Sequence, residues 1–144
     1  MYQQIYQAYQ ALGKGDKAAL QRCNLKRIAN APAYFRALKV SGSKDTAQTQ
    51  RILFLMVKTK ISEATEAPTV AKALVSAGVK EAQIIQITRS GDNGIEYLKR
   101  QLIRCNSIQL SSLGELAQYW GDKARRDLLK DFILNSNDTI ESNA

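Results

Sequence analysis

Two cysteines, a scatter of carboxylates and no histidine are the material this chain offers for chemistry. Without histidine it has no Ser-His-Asp or Cys-His arrangement, no His-based metal site and no general base of the kind usual near neutral pH. Cys23 and Cys105, alone and far apart, cannot build a zinc or iron–sulfur site. The phosphate-cradling pattern G-x-x-x-x-G-K-[ST] does not occur. The GKGDK run at Gly13–Lys17 lacks its spacing and reads as a helix stop, a turn and a new helix start. Glu63 and Glu66 lie in a polar stretch rather than on a buried element. Asp127 and Asp131 share a helix face at i,i+4, but they alternate with Arg126 and Lys130, the pattern of a solvated, salt-bridged face. No enzyme is expected, and neither a cofactor nor a metal.

What the chain has instead is positive charge. It carries a net +8 over 144 residues, with a sequence pI near 9.6. Residues 1–60 hold eleven Lys and Arg against only Asp16 and Asp45, a net +9, whereas residues 61–144 hold ten against eleven acids, a net −1. A field this lopsided attracts polyanions, either nucleic acid or an anionic lipid surface. The competing reading is a charge that serves solubility. The opening MYQQIYQAYQ has no basic segment followed by an apolar one and is not read as a signal peptide. The longest apolar run, Ile52 to Val57, is far short of the roughly 20 residues of a membrane span. A cytoplasmic location with no membrane partner is expected, and the two cysteines fit it as small buried hydrophobes in a reducing compartment.

The elements that must carry this charge are helical. Apolar residues recur with period 3.6 nearly everywhere, so the fold class is all-α: a bundle of about eight short helices in one domain. Residues 1–60 form a basic lobe, 68–135 a second helical lobe, and 136–144 a fraying end. The first helix covers about Tyr2–Leu12 and stops at Gly13. Asp16 caps a short helix to about Arg22, and a looser CNLKRIAN follows. Pro32 starts the PAYFRAL helix. Asp45 caps a helix over about Thr46–Lys60, whose ILFLMV run is apolar all round and therefore central. Arg51, Lys58 and Lys60 sit at its two ends. ISEATEA, at 61–67, is the lobe boundary. Beyond it come a helix from Pro68 to Gly78, one over KEAQIIQITRS, and one over GIEYLKRQLIRC with Ile95, Leu98 and Leu102 inward. On that last helix Lys99, Arg100 and Arg104 face out, and Glu96 can pair with Arg100. A Ser112–Glu115 capping box starts the LGELAQYW helix, and KARRDLLKDFIL closes the series.

Two patterns bear on nucleic acid. Tyr2, Tyr6 and Tyr9 form an aromatic stripe at helical spacing, which serves either as a base-stacking platform or, as such stripes more commonly do, as core or partner-facing surface. The stretch AKALVSAGVKEAQIIQITRS has a helix, Gly78, helix rhythm that would present Gln83, Gln86 and Arg89 to base edges in the manner of a helix-turn-helix.

Two further stretches carry a family look: Ala31-Pro32-Ala33-Tyr34-Phe35-Arg36-Ala37-Leu38 and Tyr119-Trp120-Gly121-Asp122 through Leu134. Both resemble the CasB family, the small subunit of the type I-E CRISPR Cascade surveillance complex. Between them Ala71-Lys72-Ala73-Leu74 and Leu98-Lys99-Arg100-Gln101-Leu102 are similar to the family's basic helices and fall in the expected order, so the resemblance runs from about Tyr2 to Asn135. It implies an all-α, non-enzymatic subunit. It further implies two copies packed in a row beside the backbone and large subunits, lining a basic path for the guide RNA–DNA hybrid, the target strand and the displaced non-target strand. Carried over by position, Arg22, Arg36, Lys99, Arg100, Lys123 and Arg125 match the family's basic pattern, and Arg51 and Arg126 lie beside them as further candidate contacts. Three departures stand out. Arg22 sits where the family has a basic pair, but its neighbour here is Gln21; Asp122 occupies a position where the family pattern is basic; and the loop around Ile61–Ala67 is short.

The resemblance accounts for charge without chemistry. Where a guide reads sequence by pairing, protein groups need only hold backbone. A sequence-specific helical DNA-binding regulator built on the pair around Gly78, and a protein adaptor with incidental positive charge, are the alternatives.

Overall fold

The computed structural model describes residues 1–136; of the end expected to fray, only Ser136 lies within them. The described residues form ten α-helices: α1 Tyr2–Ala11, α2 Lys14–Gln21, α3 Leu25–Ile28, α4 Pro32–Ser41, α5 Ala47–Met56, α6 Val70–Ser76, α7 Glu81–Arg89, α8 Gly94–Leu102, α9 Leu110–Gln118 and α10 Asp122–Asn135. A 3-10 turn at Gly91–Asn93 leads into α8. The fold is predominantly α-helical, as expected, with two more helices than the periodicity suggests.

One element departs from the helical reading. Within the stretch expected as a plain loop, β1 (Ile61–Ser62) pairs in parallel with β2 (Ile108–Gln109), Ile61 opposite Ile108. The two β2 amides, of Ile108 and Gln109, also donate beyond β1, to Lys60 O and Pro68 O. The pair pins the crossing between the two stretches of chain.

Where the helix starts differ from expectation, a neighbouring side chain explains it. CNLKRIAN is helical because Asn24 Oδ1 accepts from the Arg27 amide at 2.8 Å, an N-cap that closes the single turn of α3. Asp16 is not a cap: α2 starts after Gly13, and Asp16 lies in its first turn. Thr46, not Asp45, caps α5. The Asp45 carboxylate instead accepts from the Tyr34 hydroxyl at 2.6 Å and from Gln50. These bonds hold it below the usual carboxylate range. Burial, reinforced by Asp45, pushes the Tyr34 phenol up. α9 begins at Leu110, before the supposed Ser112–Glu115 box, and the Ser112 hydroxyl is used elsewhere.

The central helix is as the sequence demands. Ile52 to Val57 are all buried, and α5 packs against α1, α3, α8 and α9. Each large side chain buried there contributes about 1.5–3 kcal/mol. α5 ends earlier than its sequence pattern suggests. Val57 turns extended, and Lys58, at φ 67, is the non-glycine residue found in the left-handed region. One hydrophobic cluster runs from Ile5 through α5 to Phe132, so the stretches 1–60 and 68–135 share it.

Two of the glycines that geometry requires are instructive. Gly42, at φ 70, closes α4 by donating its amide to Leu38 O at 2.9 Å. At Gly94 a β-carbon would overlap the Ile87 carbonyl and press on the Trp120 ring, because α8 begins tight against α7. Gly94→Ala is therefore expected to destabilise by about 1–3 kcal/mol through overpacking. Gly15→Ala, on an exposed helix position with nothing nearby, should stabilise by about 0.5–1 kcal/mol. Thermal melts of the two variants read opposite signs.

Candidate nucleic-acid interface

Short helices have a large share of unbonded ends: four amides and four carbonyls each. Here several charged side chains reach across to those ends. Arg51 on α5 donates from Nε to Ala117 O at 2.9 Å and from Nη2 to Gln118 O at 3.2 Å, closing the last turn of α9. Burial lowers its pKa, opposed by Asp92. Lys99 on α8 donates to Phe54 O in the last turn of α5, with its ammonium 4.1 Å from the Phe54 ring centroid. Arg104 reaches Ala77 O at the end of α6. In the opposite sense, Glu96 accepts from the first amide of α3, Leu25 N, at 2.8 Å, and Ser112 from the first amide of α6, Val70 N, at 2.9 Å. A cation at a helix C-terminus and an acceptor at an N-terminus both match the macrodipole. Two outward-face readings are thereby corrected. Lys99 points into the fold rather than out of it, and Glu96 serves α3 rather than Arg100.

A second group of cations is paired. Arg36 meets Asp16 at 2.6 Å, which joins α4 to α2. Lys123 meets Asp127 at 2.6 Å, and Arg126 lies 3.5 Å from the same carboxylate. The Lys123 bond holds Asp127 below the usual carboxylate range. Arg125 pairs with Asp122 and lies against the Trp120 ring, its side chain only 14% exposed. The acid that interrupts the family's basic pattern thus binds the arginine three residues on.

The third group carries the field. Arg22 and Arg100 are exposed and have no acid within salt-bridge distance among the described residues, and the same holds for Lys26, Arg27, Lys39, Lys44, Lys58 and Lys60. Several contacts gather them. α2 packs on α4 and α3 on α5. The Lys17 ammonium on α2 lies 5.7 Å from the Tyr9 ring centroid on α1, and α1 packs on α5, which links α2 to α5 through α1. The Glu96–Leu25 bond brings α8, and with it Arg100, beside α3. The result is a cationic surface over α2, α3, α4 and the end of α5. Of the residues named from the sequence, Arg22, Arg36 and Arg100 lie on or beside it. Arg51 and Lys99 are engaged inside the fold, and Lys123, Arg125 and Arg126 sit among acids on α10. Sequence reasoning did not single out Lys26, Arg27 and Lys39; the signal available was their density without acidic neighbours.

The other candidate features are placed as follows. Tyr6 is buried, and Tyr2 and Tyr9 pack against the core, so the tyrosine stripe faces inward. α6 and α7 pack against α10 rather than forming a helix-turn-helix unit with each other. The Gln83 side chain accepts from the Lys80 amide at the start of α7, which leaves Gln86 and Arg89 exposed. An open cleft of about 600 Å³ between α6, α9 and α10 has Glu115, Asp127 and Asp131 on its walls beside Lys72 and Lys123, a poor basin for an anion. No described helix is long and apolar enough to cross a membrane.

Fold and surface together define a small helical protein whose exposed, unpaired cations concentrate on α2, α3, α4 and the end of α5. The chain is 24% identical over 148 residues to the CRISPR system Cascade subunit CasB of Escherichia coli (strain K12), covering 92% of each. Its fold matches a chain in the crystal structure of E. coli Cascade bound to a PAM-containing double-stranded DNA target, with a TM-score of 0.82 and 23% identity over 93% of this chain and 95% of that one. No family model matches. The similarity to CasB thus spans nearly the full length of the chain, in sequence and in fold.

The Lys99 cap makes a pH prediction. Burial, with Lys58 nearby, lowers its pKa to about 8 against the pull of Glu96 and Cys23. The folded value lies below the unfolded one, so the folded state binds fewer protons between about 8 and 10.5, and stability rises with pH across that window. Lysine ε-methylene NMR should show one residue titrating near 8, absent in Lys99→Met. A titration of all lysines together above pH 10 would contradict the placement.

Proposed function

We propose that this chain is a non-catalytic subunit of a type I-E Cascade-like CRISPR interference complex, in which its cationic side holds nucleic-acid backbone. The observation that carries the reading is the set of unpaired cations on and around α2, α3 and α4, combined with whole-length similarity to a Cascade subunit. The residues proposed to contact phosphate are Arg22 and Arg100, joined by Lys26, Arg27 and Lys39. Arg36, beside Asp16, and Lys123 and Arg126, beside Asp127, make a weaker contribution.

The mechanism is electrostatic retention. Lys and Arg neutralise phosphates of the opened target, release counterions and favour the separated state. Exchange of a DNA duplex for a guide–target hybrid is nearly balanced, so modest backbone contacts decide whether the R-loop persists. Base edges need not be read, in keeping with the absence of a packed helix-turn-helix unit among the described residues. The partners are the backbone and large subunits, the guide–target hybrid and the displaced strand, in the cytoplasm. A second copy continues the cationic path.

Fluorescence anisotropy with random single-stranded DNA across a salt series tests this. Affinity should be indifferent to sequence and fall with a log–log slope of about −0.7 per phosphate neutralised. Arg22→Glu with Lys39→Glu should weaken binding and flatten that slope by about 1.4. Lys123→Glu should change little, because Asp127 already offsets that charge. Sequence-selective binding that survives moderate salt would overturn the proposal.

A further inference from the structure

The outward face of α4 is not simply basic. Buried residues Ala33, Tyr34 and Ala37 set its inner side, which leaves Phe35, Arg36, Lys39 and Val40 on the outer one. Phe35 is 47% exposed and Val40 63%. A phenyl ring left half in water costs hydrophobic free energy that packing elsewhere would recover. It is also firmly held. Its centroid is 5.8 Å from that of Tyr34, tilted by 46°. Tyr34 in turn is fully buried, with its hydroxyl bonded to Asp45 at 2.6 Å. Phe35 therefore touches a buried ring on one side and is open on the other, with Lys39 one turn on at i+4; Arg36, at i+1, is bonded to Asp16.

This combination has one well-matched partner. An aromatic face beside an unpaired cation suits an unpaired nucleotide, whose base stacks on the ring while a neighbouring phosphate meets Lys39. A base inside a duplex or hybrid keeps its stacking neighbours and has no face to offer. A protein partner for this face would need to supply acids as well as an apolar surface, whereas single-stranded DNA supplies both in every residue.

Resting on the nucleic-acid reading above, we infer that Phe35 is a base-stacking residue that commits the α4 face to single-stranded rather than paired nucleic acid. The strand to be recognised is the unpaired one, by its bases as well as by its charge.

The test compares oligothymidylate with an abasic deoxyribose-phosphate strand of equal length, titrated against the full chain at low salt. Wild type should prefer the base-bearing strand by about 5- to 150-fold, the range of a single stacked base. Phe35→Ala should erase that preference while leaving affinity for the abasic strand unchanged. In Phe35→Trp, fluorescence should quench with oligothymidylate and not with the abasic strand, over a constant background from the buried Trp120, whose indole donates to Gly91 O. Equal affinity of wild type for the two strands, or a preference that survives Phe35→Ala, overturns the stacking role and leaves electrostatic retention standing. Binding to neither strand removes both.

Discussion

The constraint on which this structure depends is the number of helix ends it must satisfy. Ten helices, most of ten residues or fewer, leave amides and carbonyls unbonded at twenty ends. Local caps close some of them, as at Asn24, Thr46 and Thr69. Others are closed by side chains distant in sequence: Arg51 on α9, Lys99 on α5, Arg104 on α6, Glu96 on α3 and Ser112 on α6. The Arg51, Lys99 and Glu96 bonds among them join the α1–α5 half to the α6–α10 half as directly as the shared core does. Removing a partner from one of the part-buried pairs leaves a polar group partly shielded from water without its bond, at about 1 kcal/mol.

That constraint also divides the cations. A guanidinium or ammonium bonded to a helix terminus works within the fold, and one beside an Asp has its field offset locally. Arg51, Lys99 and Arg104 are of the first kind, while Lys123, Arg125 and Arg126 are of the second. Residues 61–144 are nearly neutral overall and locally balanced. Residues 1–60 have two acids, and Asp45 is committed to Tyr34 and Gln50 while Asp16 is committed to Arg36. The net charge of the whole chain is therefore concentrated on the α2–α4 side, where a polyanion would be held.

Much of this was legible in the sequence, for identifiable reasons. The central place of α5 followed from six consecutive apolar residues, the start of α4 from Pro32, and the inward set Ile95, Leu98 and Leu102 from helical spacing. The asymmetry of charge was visible by counting. What periodicity could not show is which partner a polar side chain takes across the fold. Lys99 occupies an outward position by local pattern, yet it points into the end of α5, because that end arrives from 45 residues away. Asp45 looks like a cap, but Tyr34 lies closer to hand. The β1–β2 pair, two residues in each strand, is too short for alternation to register. Phe35 reads as one more apolar residue in PAYFRAL until the packing of Tyr34 and Ala37 turns it outward.

The central claim is that the cations fall into structural and free sets, and that the free set holds nucleic acid. Amine footprinting of the native chain, with and without single-stranded DNA at low salt, tests it most directly. The account predicts that Lys26, Lys39 and Lys44 are reactive alone and protected by DNA. Lys123 should be reactive in both conditions, and Lys99 slow in both. Protection centred on Lys72 and Lys123, or rapid modification of Lys99 in the folded chain, would contradict it.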